Sequence, residues 1–189
     1  MLDTAGIIEI RWHGRGGQGA VTSAELLARA AISEGKYAQA FPSFGPERRG
    51  APVLAFDRIS HKEPIRVRAE VTEPDVVVIL DSGLIRIVNV TSGLKERGLI
   101  IMNTKSSLED MAAEFGNKWR LAVVNATRIA QELLGVNIVN TTMLGALIRA
   151  TGVIKLESLY EPLEARFGRA AASNIDALRR AFEETKIKE

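Results

Sequence analysis

Six residues near the N-terminus hold the first pattern with chemical content. Gly14, Arg15, Gly16, Gly17, Gln18 and Gly19 spell G-x-G-x-x-G. An apolar, β-forming stretch precedes them and a helical pattern follows, which is the context in which such a loop meets phosphate. Glycines permit positive φ and let a ligand approach the backbone. The unpaired N–H groups of the following helical turn attract anions, and Arg15 adds a formal positive charge. The loop is therefore a candidate cofactor-binding cradle for phosphate or carboxylate. An equally weighted alternative is that the glycines only let a helix pack closely on its strand. A dinucleotide reading stands behind both. It needs an acid about 20 residues beyond the loop to hold the ribose, and that region reads YAQAFPSF. Glu47 is the first candidate there and lies past two prolines. No Gly-Lys-Ser/Thr follows, so a Walker A loop is excluded.

The second pattern is FPSFGPERRGAP, residues 41–52. Pro42, Pro46 and Pro52 fix φ, and Phe41 and Phe44 can anchor the segment. Gly45 and Gly50 allow turns, and Glu47, Arg48 and Arg49 are presented between them. Stiffening lowers the entropy cost of ordering side chains at an interface, and arginine suits bidentate contact with carboxylate or phosphate. Phe44, Gly45, Pro46, Glu47, Arg48, Arg49 and Gly50 are accordingly read as a partner-facing or ligand-facing loop.

Other residues carry less. Asp81 and Ser82 follow a buried apolar run, where parallel sheets place ligands, though a helix cap is the commoner role. Asn140, Thr141 and Thr142 open a helical pattern and read as caps first. His13 stands beside the glycine loop, and His61 reads as a solvated turn residue. Trp119 and ALRRAF read as packing. No G-x-S-x-G elbow occurs, and no acid pair stands out. No catalytic residue is assigned.

These residues need elements to hold them. IIEIRWH (7–13) reads as a strand, 20–35 as a helix closed by Gly35, and 36–40 as a second strand, together a βαβ unit. Val53–Ile59 and Ile65–Ala69 read as a hairpin turning through Ser60–Pro64. VVVIL (76–80) and LIIMN (99–103) are continuous apolar runs suited to strands buried on both faces. Helical turns fill the interval to about residue 97. SSLEDMAAEFG carries a capping-box spacing from Ser107 to Asp110. Leu121–Val124 is a short strand, 125–135 and 140–152 are helices, and two more helices finish the chain. The alternation predicts a single α/β domain over residues 1–189. It is Rossmann-like and three-layered, with a mixed, mainly parallel sheet and helices on both faces.

Composition narrows the function. The chain has 189 residues, 25 Lys+Arg against 23 Asp+Glu, and no cysteine. That excludes disulfides, thiol catalysis and iron–sulfur clusters ligated by this chain. With two histidines a zinc site lacks ligands, and no metal site is expected. The small net charge argues against nucleic acid as a partner, leaving only the pairs Arg48/Arg49 and Arg179/Arg180 in its favour. No apolar run is long enough to span a membrane, and the N-terminus has no secretory pattern. No membrane association and a cytoplasmic location are expected.

HGRGGQGAVTSAELLARAA together with YAQAFPSFGPERRGAPV closely resembles the gamma subunit of 2-oxoacid:ferredoxin oxidoreductases, with the pyruvate (pyruvate synthase) branch nearest. The resemblance continues through EPDVVVILDSGL and GLIIMNT to NTTMLGAL. It implies a complex that decarboxylates a 2-oxoacid on thiamine diphosphate, passes electrons through iron–sulfur clusters to ferredoxin and transfers the acyl group to coenzyme A. It implies alpha, beta and ferredoxin-like delta subunits as partners, with thiamine diphosphate and clusters carried mainly by them. No GDG diphosphate-site motif occurs here. The resemblance further implies a non-redox subunit, inactive alone, with two roles open: a scaffold that packs on the catalytic subunits, ranked first, or a surface that also forms part of the coenzyme A path, with Arg15, Arg48 or Arg49 near its phosphates. An NAD(P)-binding dehydrogenase domain is the alternative, resting on the glycine motif.

Overall fold

The computed structural model describes residues 6–43 and 50–188. Its frame is a seven-stranded sheet in the order β2-β3-β1-β4-β5-β6-β7. The strands are β1 (Ile7–Arg15), β2 (Tyr37–Pro42), β3 (Pro52–Ser60), β4 (Val76–Ile79), β5 (Leu99–Asn103), β6 (Arg120–Val124) and β7 (Lys186–Lys188). β1, β2, β4, β5 and β6 run one way, and β3 and β7 run against them. The sheet is thus mixed and mainly parallel, as the alternation predicts. Val76–Ile79 and Leu99–Asn103 are buried along their whole length, the consequence of apolar runs placed at the centre of a sheet covered on both faces.

The helices are α1 (Ala20–Ser33), α2 (Leu108–Phe115), α3 (Ala126–Leu134), α4 (Asn140–Thr151), α5 (Tyr160–Phe167) and α6 (Ala171–Glu184). One face of the sheet carries α1 over β1, β2 and β3, and α4 over β5 and β6, with α6 stacked outside α4. Trp12, Leu27, Leu99, Leu147 and Leu178 share this larger core. On the other face, Val77, Ile79, Ile100 and Met102 pack with Leu84 and with α2 through Ala112 and Met111. Helices cover both faces, though unequally. Ser107 and Asp110 form the reciprocal capping box at the start of α2, and Gly35 takes φ 78 just past α1.

Two expectations are corrected, the 53–69 hairpin and the helix cap at 140–142. The hairpin between 53–59 and 65–69 does not form. β3 is already paired with β1 on one edge and β2 on the other, so it has no edge left for a neighbour. Residues 61–75 instead cross the sheet face without strand structure, tied by Gln39 Nε2 to Ile65 O and by Arg58 Nη1 to Val67 O. The turns after β4 contain a 3-10 helix, Ser82–Arg86. Asn140, Thr141 and Thr142 are not N-caps, because Val139 holds that place without a side-chain cap. The Thr142 hydroxyl donates back to Val139 O at 2.7 Å. Strand β7 was not expected.

Candidate functional site

The site grows from the carboxyl end of β1. The chain leaves β1 through the glycine loop into α1, which packs toward β2 and β3. β4 lies on the other side of β1. The junction of β1 and β4 is therefore the point where the winding reverses, where open α/β sheets bind ligands. Here the protein's own side chains bridge it. Arg15 Nε meets Asp81 Oδ2 at 2.8 Å, and Gln18 Nε2 donates to the same oxygen at 3.1 Å. Gln18 Oε1 accepts from Arg15 N at 2.8 Å. Asp81 also caps the 3-10 helix by accepting from Gly83 N. Burial pushes the Asp81 carboxyl up, but the bonds from Arg15, Gly83 and Gln18 outweigh it and hold the group below its ordinary range. The charge on Arg15 is thus held by Asp81.

The glycines divide by role. A Cβ on Gly14 would lie 3.2 Å from Ala20 Cβ, and one on Gly19 would lie 2.9 Å from Asn140 Cβ. Gly19 is also at φ 83. These two positions serve close packing, Gly14 against α1 and Gly19 against the start of α4. Gly17 differs: it has φ 94 and open space where a side chain would stand. Gly16 does a third thing. Its N–H donates to Ala51 O at 2.9 Å, and its carbonyl accepts from Gly50 N at 3.2 Å. Arg15 Nη1 adds a bond to Gly50 O. The two sequence motifs are therefore stitched together at Gly50. Phe44, Gly45, Pro46, Glu47, Arg48 and Arg49 lie outside the described residues.

Two hollows flank the loop. One, about 420 Å³, runs over the carboxyl ends of β4, β5 and β6 and is lined by Gln18, Asp81, Ser82, Asn103, Lys105 and Thr127. The other, about 470 Å³, lies where α1, α4 and α6 begin, among Gly17, Gly19, Thr22, Asn140, Arg166 and Asn174. Asn103 and Thr127 were missed from sequence. Asn103 Nδ2 donates to Leu80 O and to Thr127 Oγ1, and its Oδ1 accepts from Thr127 N. This clamp joins the ends of β4 and β5 to α3. The available signal was a polar residue closing an otherwise apolar strand.

The pyruvate ferredoxin/flavodoxin oxidoreductase family matches residues 9–184. The chain belongs to that family. It is a gamma-type member of it. It is 52% identical over 183 residues to the "Pyruvate/ketoisovalerate oxidoreductases common subunit gamma" of Pyrococcus furiosus, covering 96% of this chain and 98% of that one. It is 51% identical over 181 residues to the "Pyruvate synthase subunit PorC" of Methanothermobacter marburgensis, covering 95% and 98%. Among solved structures it resembles the pyruvate oxidoreductase subunit PORC of Thermotoga maritima, with a TM-score of 0.87, 41% identity, and coverage of 97% and 99%. The dehydrogenase alternative finds no support in these matches. Among the described residues no cluster of His, Asp and Glu could hold a metal, and no helix is long and apolar enough to cross a membrane.

Proposed function

We propose that residues 1–189 form one gamma-type domain. It is the non-redox gamma subunit of a pyruvate:ferredoxin oxidoreductase complex with alpha, beta and delta partners and ferredoxin as acceptor. The observation that carries this is the near full-length match to gamma and PorC subunits. The residues of this chain do not fit the redox groups of such a complex: it has no cysteine for a cluster and no diphosphate-site motif for thiamine diphosphate. Those groups belong on the partners, and the isolated chain is inactive.

The fit to coenzyme A is better. Coenzyme A supplies the thiol that takes up the acyl group, and its phosphates need donors. Gly17 leaves open backbone in the loop. Gly19 caps α1 without a side chain, so the first-turn N–H groups have no side-chain acceptor. The amide of Asn140, on a residue only 6% exposed, has its Oδ1 engaged by Thr141 N, while Nδ2 donates to none of the described residues. What this chain does is scaffold the complex through its 41–52 loop and offer these donors along the coenzyme A path.

The test is native co-purification from the source organism without oxygen, followed by pyruvate- and coenzyme A-dependent viologen reduction. The expected result is a complex holding a thiamine diphosphate subunit and an iron–sulfur subunit, with that activity. A lone chain or homo-oligomer would defeat the proposal. In that complex, Arg48→Ala with Arg49→Ala separates the two roles. Loss of assembly assigns the loop to scaffolding. Intact assembly with a raised KM for coenzyme A assigns it to the path, and no effect on either removes both roles from the loop.

A further inference from the structure

The opposite face of the sheet, away from α1, holds a second feature. The alternation of β1 puts Ile8, Ile10 and Trp12 toward α1 and Glu9, Arg11 and His13 toward the other face. Arg11 is only 6% exposed. Its Nε donates to His13 Nε2 at 3.1 Å, and its Nη2 donates to Val90 O at 3.1 Å and Ser92 O at 2.5 Å. All three acceptors are neutral. No carboxylate among the described residues pairs with this guanidinium, and none accepts from Nη1. An isolated buried charge is costly unless something compensates it.

His13 adds a second open donor. Because its Nε2 accepts from Arg11, its proton sits on Nδ1. Burial, and secondarily the Arg11 charge, push its pKa down to about 3, so the ring is neutral. Nδ1 meets no acceptor among the described residues. Both side chains line one cleft of about 470 Å³, within the size range of small-molecule sites. Val53, Leu54, Leu84 and Val88 give it apolar wall, and Asn89 and Ser92 add polar lining. The Ser43 hydroxyl at the rim is already given to Glu70.

We infer that this cleft is a carboxylate site, in which Arg11 Nη1 and His13 Nδ1–H hold the carboxylate and the apolar walls take a short aliphatic chain. A single formal positive charge with a neutral partner suits a monoanion better than a phosphate dianion. Two sources could supply the group: a free small acid, or an Asp or Glu side chain of a partner subunit.

The experiment titrates the full chain with isobutyrate, its neutral amide isobutyramide, and inorganic phosphate, followed by NMR shifts of the Arg11 and His13 side chains. Isobutyrate should saturate, with the amide and phosphate each at least about tenfold weaker. Arg11→Met should abolish the difference between acid and amide. If that variant does not fold, Val88→Phe fills the cleft from its half-buried wall, spares Arg11, and should abolish saturation. Absence of saturation in the parent chain, equal binding of the amide or phosphate, or unchanged binding in a folded Val88→Phe chain would each overturn the proposal. Repeating the titration on the assembled complex separates the sources. Retained binding identifies a free acid, and binding lost on assembly identifies a partner carboxylate.

Discussion

At the scale of single residues, the charged groups of this chain sort by what surrounds them. Asp81 sits where three donors converge and stays ionised. Asp57 is fully buried on β3 with Trp12 Nε1 donating to it at 2.6 Å, and burial drives its pKa well up despite that bond. His13 is the group whose titration falls in an accessible range. Its folded-state pKa is lowered from 6.5 to about 3, so the unfolded chain takes the proton first. The stability tied to neutral His13 is complete above about pH 6.5 and is lost as pH falls toward 3, by up to ~1.4 kcal/mol per pH unit. The urea midpoint should therefore drop between neutral pH and mild acid, and His13→Gln should flatten that drop. His61, the other histidine, is exposed and should contribute little. An unchanged slope in His13→Gln would show that the ring is not held neutral by its burial.

Among the elements, α4 is the one that the fold cannot move. It is buried along nearly its whole length, between the sheet and α6. Gly145 makes this stacking possible, since a Cβ there would lie 2.2 Å from Leu178 O. That obstacle is backbone, so the helices must separate. Gly145→Ala should cost about 1–3 kcal/mol and lower the melting temperature by about 2–4 °C per kcal/mol. Gly152→Ala is the comparison. It has φ 63 but open space, so only the left-handed backbone cost of about 1–2 kcal/mol applies. Equal losses in the two variants would mean that α6 yields easily. Elements like these were legible in sequence where one local signal decided them: the apolar runs of β4 and β5, the capping box of α2, the glycine after α1. The 65–69 segment misled because IRVRA alternates like a strand, while pairing also needs a free edge that β3 lacks. β7 is three residues long and forms only because β6 offers an edge. Arg11 was illegible for a related reason. Its face of β1 reads as solvent-facing until residues 61–75 and 88–95 fold across it.

For the whole molecule, the proposed separation of scaffold from redox chemistry carries a consequence for oxygen sensitivity. With no cysteine, the chain has neither a cluster to lose nor a thiol to oxidise. Methionine is its remaining sulfur: of the four, Met102 and Met143 are at most 1% exposed and Met111 is half-buried. Oxygen should then inactivate the proposed complex through its partners while leaving this chain intact. The chain recovered from an air-inactivated complex, refolded if needed, should restore viologen reduction when combined with oxygen-protected partners prepared without it. The reciprocal mixture, fresh chain with air-exposed partners, should stay inactive. Recovery in the reciprocal mixture and not in the first would place the oxygen-labile group on this chain, against both its composition and the proposed division of labour. The same exchange reports on the 41–52 loop. A chain carrying Arg48→Ala and Arg49→Ala that fails to displace the parent from the mixture is deficient in docking, whatever its effect on turnover.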